Sequence, residues 1–328
     1  MHAPRTRVQR RPVHGVLLLD KPLGLSSNQA LQKAKWLLRA EKAGHTGTLD
    51  PLASGLLPLC FGAATKFSQL QLDADKIYET TLRLGQRTST GDAEGQVLES
   101  KPVQCTDAEV ARVLQQFTGL QMQLPPMHSA LKKDGRALYE YARAGEAVER
   151  TPRQITIYAI DLLDATLGGS APSLRLRVRC SKGTYIRTLG EDIGAALGCG
   201  AHLSALRRSA SAQFSVDTAW TLDALERLDE AQRLQALLPL DVLLQGHVDV
   251  TLDGDNAARF LSGMRRRGPW PDAARVAVYA QAPRALLGTA HVQGGELIPG
   301  RLLSPPEVSA CSTADRAGAP NIESELVV

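Results

Sequence analysis

Twelve consecutive residues, Gly44 to Gly55 (GHTGTLDPLASG), constrain this chain more than any other segment. Three glycines, two threonines and a proline fall among them, too many for the interior of a helix or strand. The segment must be a shaped loop, and shaped loops present functional groups more often than the scaffold around them. Asp50 is its only ionisable acid, and the following Pro51 pushes the Asp50 backbone toward extended conformation. A local alternative makes Asp50 a helix N-cap with Pro51 at the first helical position. A P-loop is excluded, because no Gly-Lys-Ser/Thr closes the segment.

Regular elements are read from period and caps. In Ser173–Cys180, Leu174, Leu176, Val178 and Cys180 point one way and Arg175, Arg177 and Arg179 the other. One face is core, and the arginine face meets solvent or a ligand. Val16–Leu19 and Ile77–Leu84 also read as strands, the second with Tyr78, Thr80, Leu82 and Leu84 on one side. Thr106 and Glu109 form a capping box ahead of Val110, Val113, Leu114 and Phe117, and Gly119 closes that helix. Ser26 or Ser27 caps a helix carrying Leu31, Ala34 and Leu38, with Lys33 and Lys35 on its wet side. Thr221–Leu238 is a further amphipathic stretch. Strand alternation among interspersed helices favours antiparallel or mixed pairing, hence an α+β fold.

A chain of 328 residues suits one large domain and one small one. Its 43% hydrophobic and 22% charged residues are those of a soluble globular protein, and with 4% aromatics the core must be aliphatic. Residues 1–13 are a basic arm with Arg5, Arg7, Arg10 and Arg11, and the large domain runs over 14–246. Short β-like runs between Gly/Pro turns make 247–303 a small β-rich module carrying Arg265, Arg266 and Arg267. Residues 304–328, rich in Pro, Ser and Ala and without periodicity, are expected to be disordered. Five cysteines without CxxC spacing argue against a disulfide framework or a structural zinc. No apolar run approaches the roughly 20 residues of a membrane helix. A reducing cytosol fits best.

The glycine-rich segment resembles the signature loop of the TruB family of tRNA pseudouridine synthases, GHxGTLDPxAxGxLxxxxGxATK. The chain follows this pattern from Gly44 through Gly62, Ala64, Thr65 and Lys66. Asp20-Lys21-Pro22-Leu23-Gly24-Leu25-Ser26-Ser27 resembles the KPxGxTS motif, with Ser26 where threonine is more usual. Further blocks are Lys76-Ile77-Tyr78 with Gly85, Thr88, Thr90, Asp92 and Gly95, then Pro125-Pro126, Ser129-Ala130, Lys132, Gly135, Tyr139 and Ala142-Arg143. The last runs from Cys180 through Lys182-Gly183-Thr184-Tyr185-Ile186-Arg187 to Gly200-Ala201-His202-Leu203 and Leu206-Arg207-Arg208. The resemblance covers about residues 14–220. Ala212-Gln213 depart from it, standing where Gly-Pro commonly precedes Phe214.

The resemblance implies a catalytic domain with a mixed, mostly antiparallel sheet over 14–246 and a PUA-like RNA-binding domain over 247–303. It implies isomerisation of uridine 55 in the T loop of tRNA, with no cofactor, no metal, no membrane and no protein partner, in a cytoplasmic monomer. Asp50 matches the catalytic aspartate, either a nucleophile at C1′ or the base that removes the C2′ proton. Arg187 matches the residue that pairs with it; a guanidinium within about 4–6 Å is expected to offset desolvation and keep the carboxylate ionised. Tyr78 matches the residue that receives the flipped base. Tyr185 and Leu206 match pocket walls, His45 an RNA contact, and Lys21 a support of the active-site loop. Two rivals remain: a tRNA-binding or tRNA-folding protein that has kept the cleft, and a glycoside hydrolase with Glu191 or Asp192 as second carboxylate.

Overall fold

The computed structural model describes residues 9–312. Arg5, Arg7 and most of the tail, including Glu323 and Glu325, lie outside them. A ten-stranded sheet organises the first two-thirds of the chain. Its strands run in the order Trp220–Thr221, Gly15–Lys21, Ala53–Phe61, Ala201–Ser211, Lys76–Leu84, Ser173–Cys180, Arg153–Thr166 and Gly119–Gln123, with two short strands, Ala43–His45 and Phe214–Ser215, added alongside. Pairing is antiparallel except at Gly15–Lys21 with Trp220–Thr221 and at Ala53–Phe61 with Ala201–Ser211. The fold is α+β with a mixed, mostly antiparallel sheet.

The alternating strands behave as their pattern requires. Tyr78, Thr80, Leu82 and Leu84 are buried, and Arg175, Arg177 and Arg179 face outward. The outward arginines are partnered: Arg177 and Arg175 meet Glu79, and Arg179 lies over the Tyr158 ring. The strand Ala53–Phe61 carries no alternation, because it is central and covered on both faces. Leu57, Leu59 and Phe61 enter the main core, while Leu56 and Cys60 enter a second cluster on the opposite face.

That second cluster joins the two parts of the molecule. Val16, Leu18, Leu56, Phe67 and Phe214 pack there with Ala277, Tyr279, Leu286 and Leu303 of the C-terminal module. The module is a five-stranded sheet in the order Val248–Leu252, Ala273–Ala280, Ala285–Gln293, Glu296–Leu302, Arg266–Arg267, with a helix Gly254–Leu261. Lys66 bolts the joint, donating to the Leu302 carbonyl at 3.0 Å and pairing with Glu307.

Both predicted caps form. Ser26 caps the helix Ser27–Leu37, and Thr106 with Glu109 boxes the helix Asp107–Gln116. The latter ends at Phe117, and Gly119 instead opens the next strand at φ +109°. Thr221–Leu238 divides into helices Leu222–Arg227 and Glu230–Gln235, because Asp229 and Gln232 form a capping box of their own. The expectation of disorder from 304 is corrected for its first residues, since Pro305–Ser312 is a helix. Ser304 binds the Glu307 carboxylate through its N–H, and Val308 and Cys311 pack on the shared cluster. Ser304-Pro305-Pro306-Glu307 is itself a start signal that composition obscured. The basic arm is also partly docked, with Arg11 paired to Glu230 at 2.6 Å.

Gly55 shows how closely the central strands approach. Its φ is +102°, and an added Cβ would stand 2.8 Å from the Arg208 backbone nitrogen and nearer still to its carbonyl oxygen. Backbone cannot move aside as a side-chain end can. Gly55→Ala should therefore destabilise the fold by about 2–3 kcal/mol, read as a lowered urea midpoint. An unchanged midpoint would mean that the central sheet yields at this point.

Candidate active site

The glycine-rich segment is pinned from two sides. The Thr46 N–H donates to the Pro58 carbonyl at 3.0 Å, and the Ser27 hydroxyl holds both backbone groups of Leu49, at 2.7 and 3.0 Å. The Ala53 N–H closes a tight turn on the Asp50 carbonyl at 3.0 Å and the chain runs straight into the central strand. Asp50 is therefore no helix N-cap: the turn at Pro51–Leu52 leads into a strand, not a helix.

Arg187 comes to Asp50 from the first turn of the helix Ile186–Ala196. A cation at a helix N-terminus opposes the helix dipole and needs compensation. Two carboxylates supply it: Asp50 at 2.9 Å and Asp92 at 3.7 Å. Two carbonyls, Thr90 at 3.1 Å and His128 at 2.6 Å, take further donors. The turn before the helix is fixed by Gln123, whose side-chain amide bonds both to the Tyr185 N–H and to its carbonyl. Arg187 is 5% exposed, so the guanidinium has essentially one place to be.

Asp50, Arg187, Tyr78, Tyr185 and Leu206 line one cavity of about 520 Å³, together with Ser129, Lys76 and Arg208. Tyr78, Leu206 and Arg208 reach it because Lys76–Leu84 and Ala201–Ser211 are adjacent strands, with Thr80 opposite Leu206 and Tyr78 opposite Arg208. His45 and Lys21 are not among the lining residues. His45 sits on the short strand Ala43–His45 with its ring Nδ1 buried and unpartnered. Lys21 lies fully buried beneath the loop, its ammonium donating to the Pro22 and Leu25 carbonyls. Burial pulls the Lys21 pKa down to about 8, against the nearby charge of Asp50.

Asp50 departs from expectation in its electrostatics. The carboxylate is 37% exposed at the cavity mouth but enclosed elsewhere, and burial raises its pKa above the ordinary value. Arg187 opposes that rise without cancelling it, because the same guanidinium also serves Asp92, whose charge pushes Asp50 further upward. Asp92 stands in one of the motif blocks without a role that the motif assigns. Its flanking Thr90 and Gly91, typical of a side-chain-closed turn, were the available signal, and its carboxylate does accept from Thr90 and the Glu94 N–H. Arg208 likewise has no role that its motif assigns, although alternation with Leu206 along a strand places both on one face.

A carboxylate held by a buried arginine, facing a cavity walled by two tyrosines and a leucine, suits a flat ring bound beside an acid. On this fold it defines a pseudouridine synthase. The chain belongs to the TruB family of pseudouridylate synthases: the family's N-terminal domain matches residues 35–186, and the tRNA pseudouridylate synthase B C-terminal domain matches 187–245. It is 64% identical over 310 residues to tRNA pseudouridine synthase B of Verminephrobacter eiseniae, covering 94% of each chain. With the protein of that name from Cupriavidus taiwanensis it shares 59% over 304 residues, 90% of this chain and 96% of the relative. Among solved structures it resembles one in a Cbf5-Nop10-Gar1 complex, with TM-score 0.66, 26% identity, and 90% and 87% of the two chains covered.

Because the Asp50 pKa is raised, its ionised form becomes dominant only above the ordinary 3.8. If the ionised carboxylate reacts, the single-turnover rate should climb with pH along an acid limb whose midpoint lies above 3.8 and then level off. Asp92→Asn removes a like charge, so its limb should shift to lower pH. A limb that does not move with Asp92→Asn would dissociate the two carboxylates.

Proposed function

We propose that this protein isomerises a uridine of tRNA to pseudouridine at position 55 in the T loop. The observation that carries the reading is the Asp50–Arg187 pair at the wall of the tyrosine-lined cavity. A uridine in a folded loop has to be turned out of its stack to enter such a cavity. Tyr78 then provides a face for the uracil and Asp50 acts at the sugar, as nucleophile on C1′ or as base at C2′. Arg187 keeps Asp50 aimed and supports its charge. Tyr185 and Leu206 wall the base, His45 contacts the RNA, and Lys21 supports the loop from beneath. The bond between N1 and C1′ breaks, the uracil turns, and C5 takes the place of N1.

Isomerisation is favoured over hydrolysis by the cavity's acid content. A glycosidase of the usual kind needs two carboxyl groups flanking the bond, about 5–9.5 Å apart. Among the described residues Asp50 is the only carboxylate on the wall, and neither Glu191 nor Asp192 lines it. The β-rich module over 247–303 is read as the PUA-like RNA-binding part. Its arginines are not all free for phosphate, since Arg265 and Arg267 both meet Glu296. No helix among the described residues is long and apolar enough to cross a membrane. The reading includes a monomer acting on tRNA in the cytoplasm, with no protein partner and no cofactor.

The test is to incubate unmodified tRNA with the protein, then map carbodiimide adducts and weigh the RNA. One adduct at the T-loop uridine with unchanged mass is expected. Released uracil would make the protein a glycosidase, and unmodified RNA that is nonetheless tightly bound would make it a binding protein.

A further inference from the structure

Arg208 is among the largest fully buried side chains, 1% exposed, and takes no part in the Asp50–Arg187–Asp92 cluster. Its guanidinium donates to two carbonyls, Leu56 at 2.7 Å and Gly47 at 3.3 Å, the second within the signature loop. A buried cation answered only by carbonyl dipoles is costly, and its retention asks for an anion. The cavity wall repeats the imbalance: Lys76, Arg187 and Arg208 face it with Asp50 as the one carboxylate.

Tyr78 is a group on the same wall that can become an anion. The two residues are direct partners across adjacent antiparallel strands, so their side chains leave the same face. Both side chains line the same cavity, and the Arg208 charge acts on the Tyr78 hydroxyl. A guanidinium only donates, so toward Arg208 the tyrosine oxygen can only accept. Burial pushes the phenol pKa up, with Cys180 and Asp50 adding to the rise; Arg208 opposes it.

We propose that Arg208 is a positioning residue for the last proton transfer, holding the Tyr78 oxygen as an acceptor and compensating its negative charge while it takes the proton from C5. The proposal rests on the uridine-isomerisation reading of the cavity. Once C5 is joined to C1′, it still carries its hydrogen, and N1=C6 is a double bond. The C5–H bond breaks, and its electron pair forms C5=C6. The N1=C6 pair moves to N1, which takes a proton from water. The C5 proton passes to the Tyr78 oxygen as the phenol's own proton leaves to water, so the tyrosine ends the step as the neutral phenol it began as. Proton and electron counts close with water alone.

The experiment compares the native chain with Arg208→Lys, Arg208→Gln, Tyr78→Phe and Arg208→Lys/Tyr78→Phe. Each is run in single turnover on tRNA carrying 5-protio- or 5-deuterouridine. Lysine keeps the charge that the core is built around but loses the planar fork, and glutamine keeps a planar donor without charge. For Arg208→Lys, tRNA affinity should stay within about threefold while product formation slows about a hundredfold. Its primary deuterium isotope effect should exceed that of the native chain. Adding Arg208→Lys to Tyr78→Phe should cost nothing further, because the two act on one step. Losses that multiply in the double variant, without an isotope effect, would assign Arg208 to the scaffold. Lost affinity with a flattened salt dependence would assign it to a backbone phosphate. A near-native rate for Arg208→Lys beside a slow Tyr78→Phe overturns this proposal alone. A near-native Tyr78→Phe overturns the base role of Tyr78, and the proposal with it.

Discussion

Arg187 carries a positive charge into a place with almost no water, at the end of a helix whose dipole repels it. The groups packed around the guanidinium answer that charge. Asp50 and Asp92 bracket the guanidinium, and the carbonyls of Thr90 and His128 take its remaining donors. Breaking a buried pair by removing one partner costs about 3–5 kcal/mol, so three chain segments, at Asp50, Thr90–Asp92 and His128, are held in register with the helix by one side chain. The position of Asp50 is thus a consequence of satisfying Arg187 as much as of the loop's own turns.

The arrangement trades some stability for a reactive group. With its pKa raised, Asp50 contributes to folding most fully below 3.8, and that contribution is lost as pH rises through its folded value. Near neutrality the ionised acid is therefore held at a cost, which the packed sheet behind it absorbs. Leu56, Leu57, Leu59 and Phe61 lie directly behind the loop, with the main core on one face and the shared cluster on the other. Arg208 continues the same logic one strand away, tying the loop's Gly47 to the strand that carries Tyr78.

Much of this was legible in the residues. Alternation marks Ser173–Cys180 and Lys76–Leu84 almost to the residue, and a serine cap and a capping box mark two helices, because these signals are local. The strand Ala53–Phe61 was invisible to alternation, since burial on both faces erases the period. Proline and serine masked the helix at Pro305, whose stability comes from Glu307 and from packing on distant residues. In the site, Asp50 and Arg187 stood out through their motifs, whereas Asp92 and Arg208 did not. Their contribution is electrostatic and depends on which charges the fold brings within a few ångströms, and no spacing along the chain encodes that.

The most direct measurement is tRNA affinity and single-turnover conversion for Asp50→Asn, with Asp50→Ala beside it to exclude deamidation. The amide keeps the size of the carboxylate and can still accept a hydrogen bond from Arg187, but it carries no charge to act at the sugar. Affinity near that of the native chain with no detectable pseudouridine is the predicted result. Conversion by either variant near the native rate would show that the carboxylate held by Arg187 is not the group that does the chemistry.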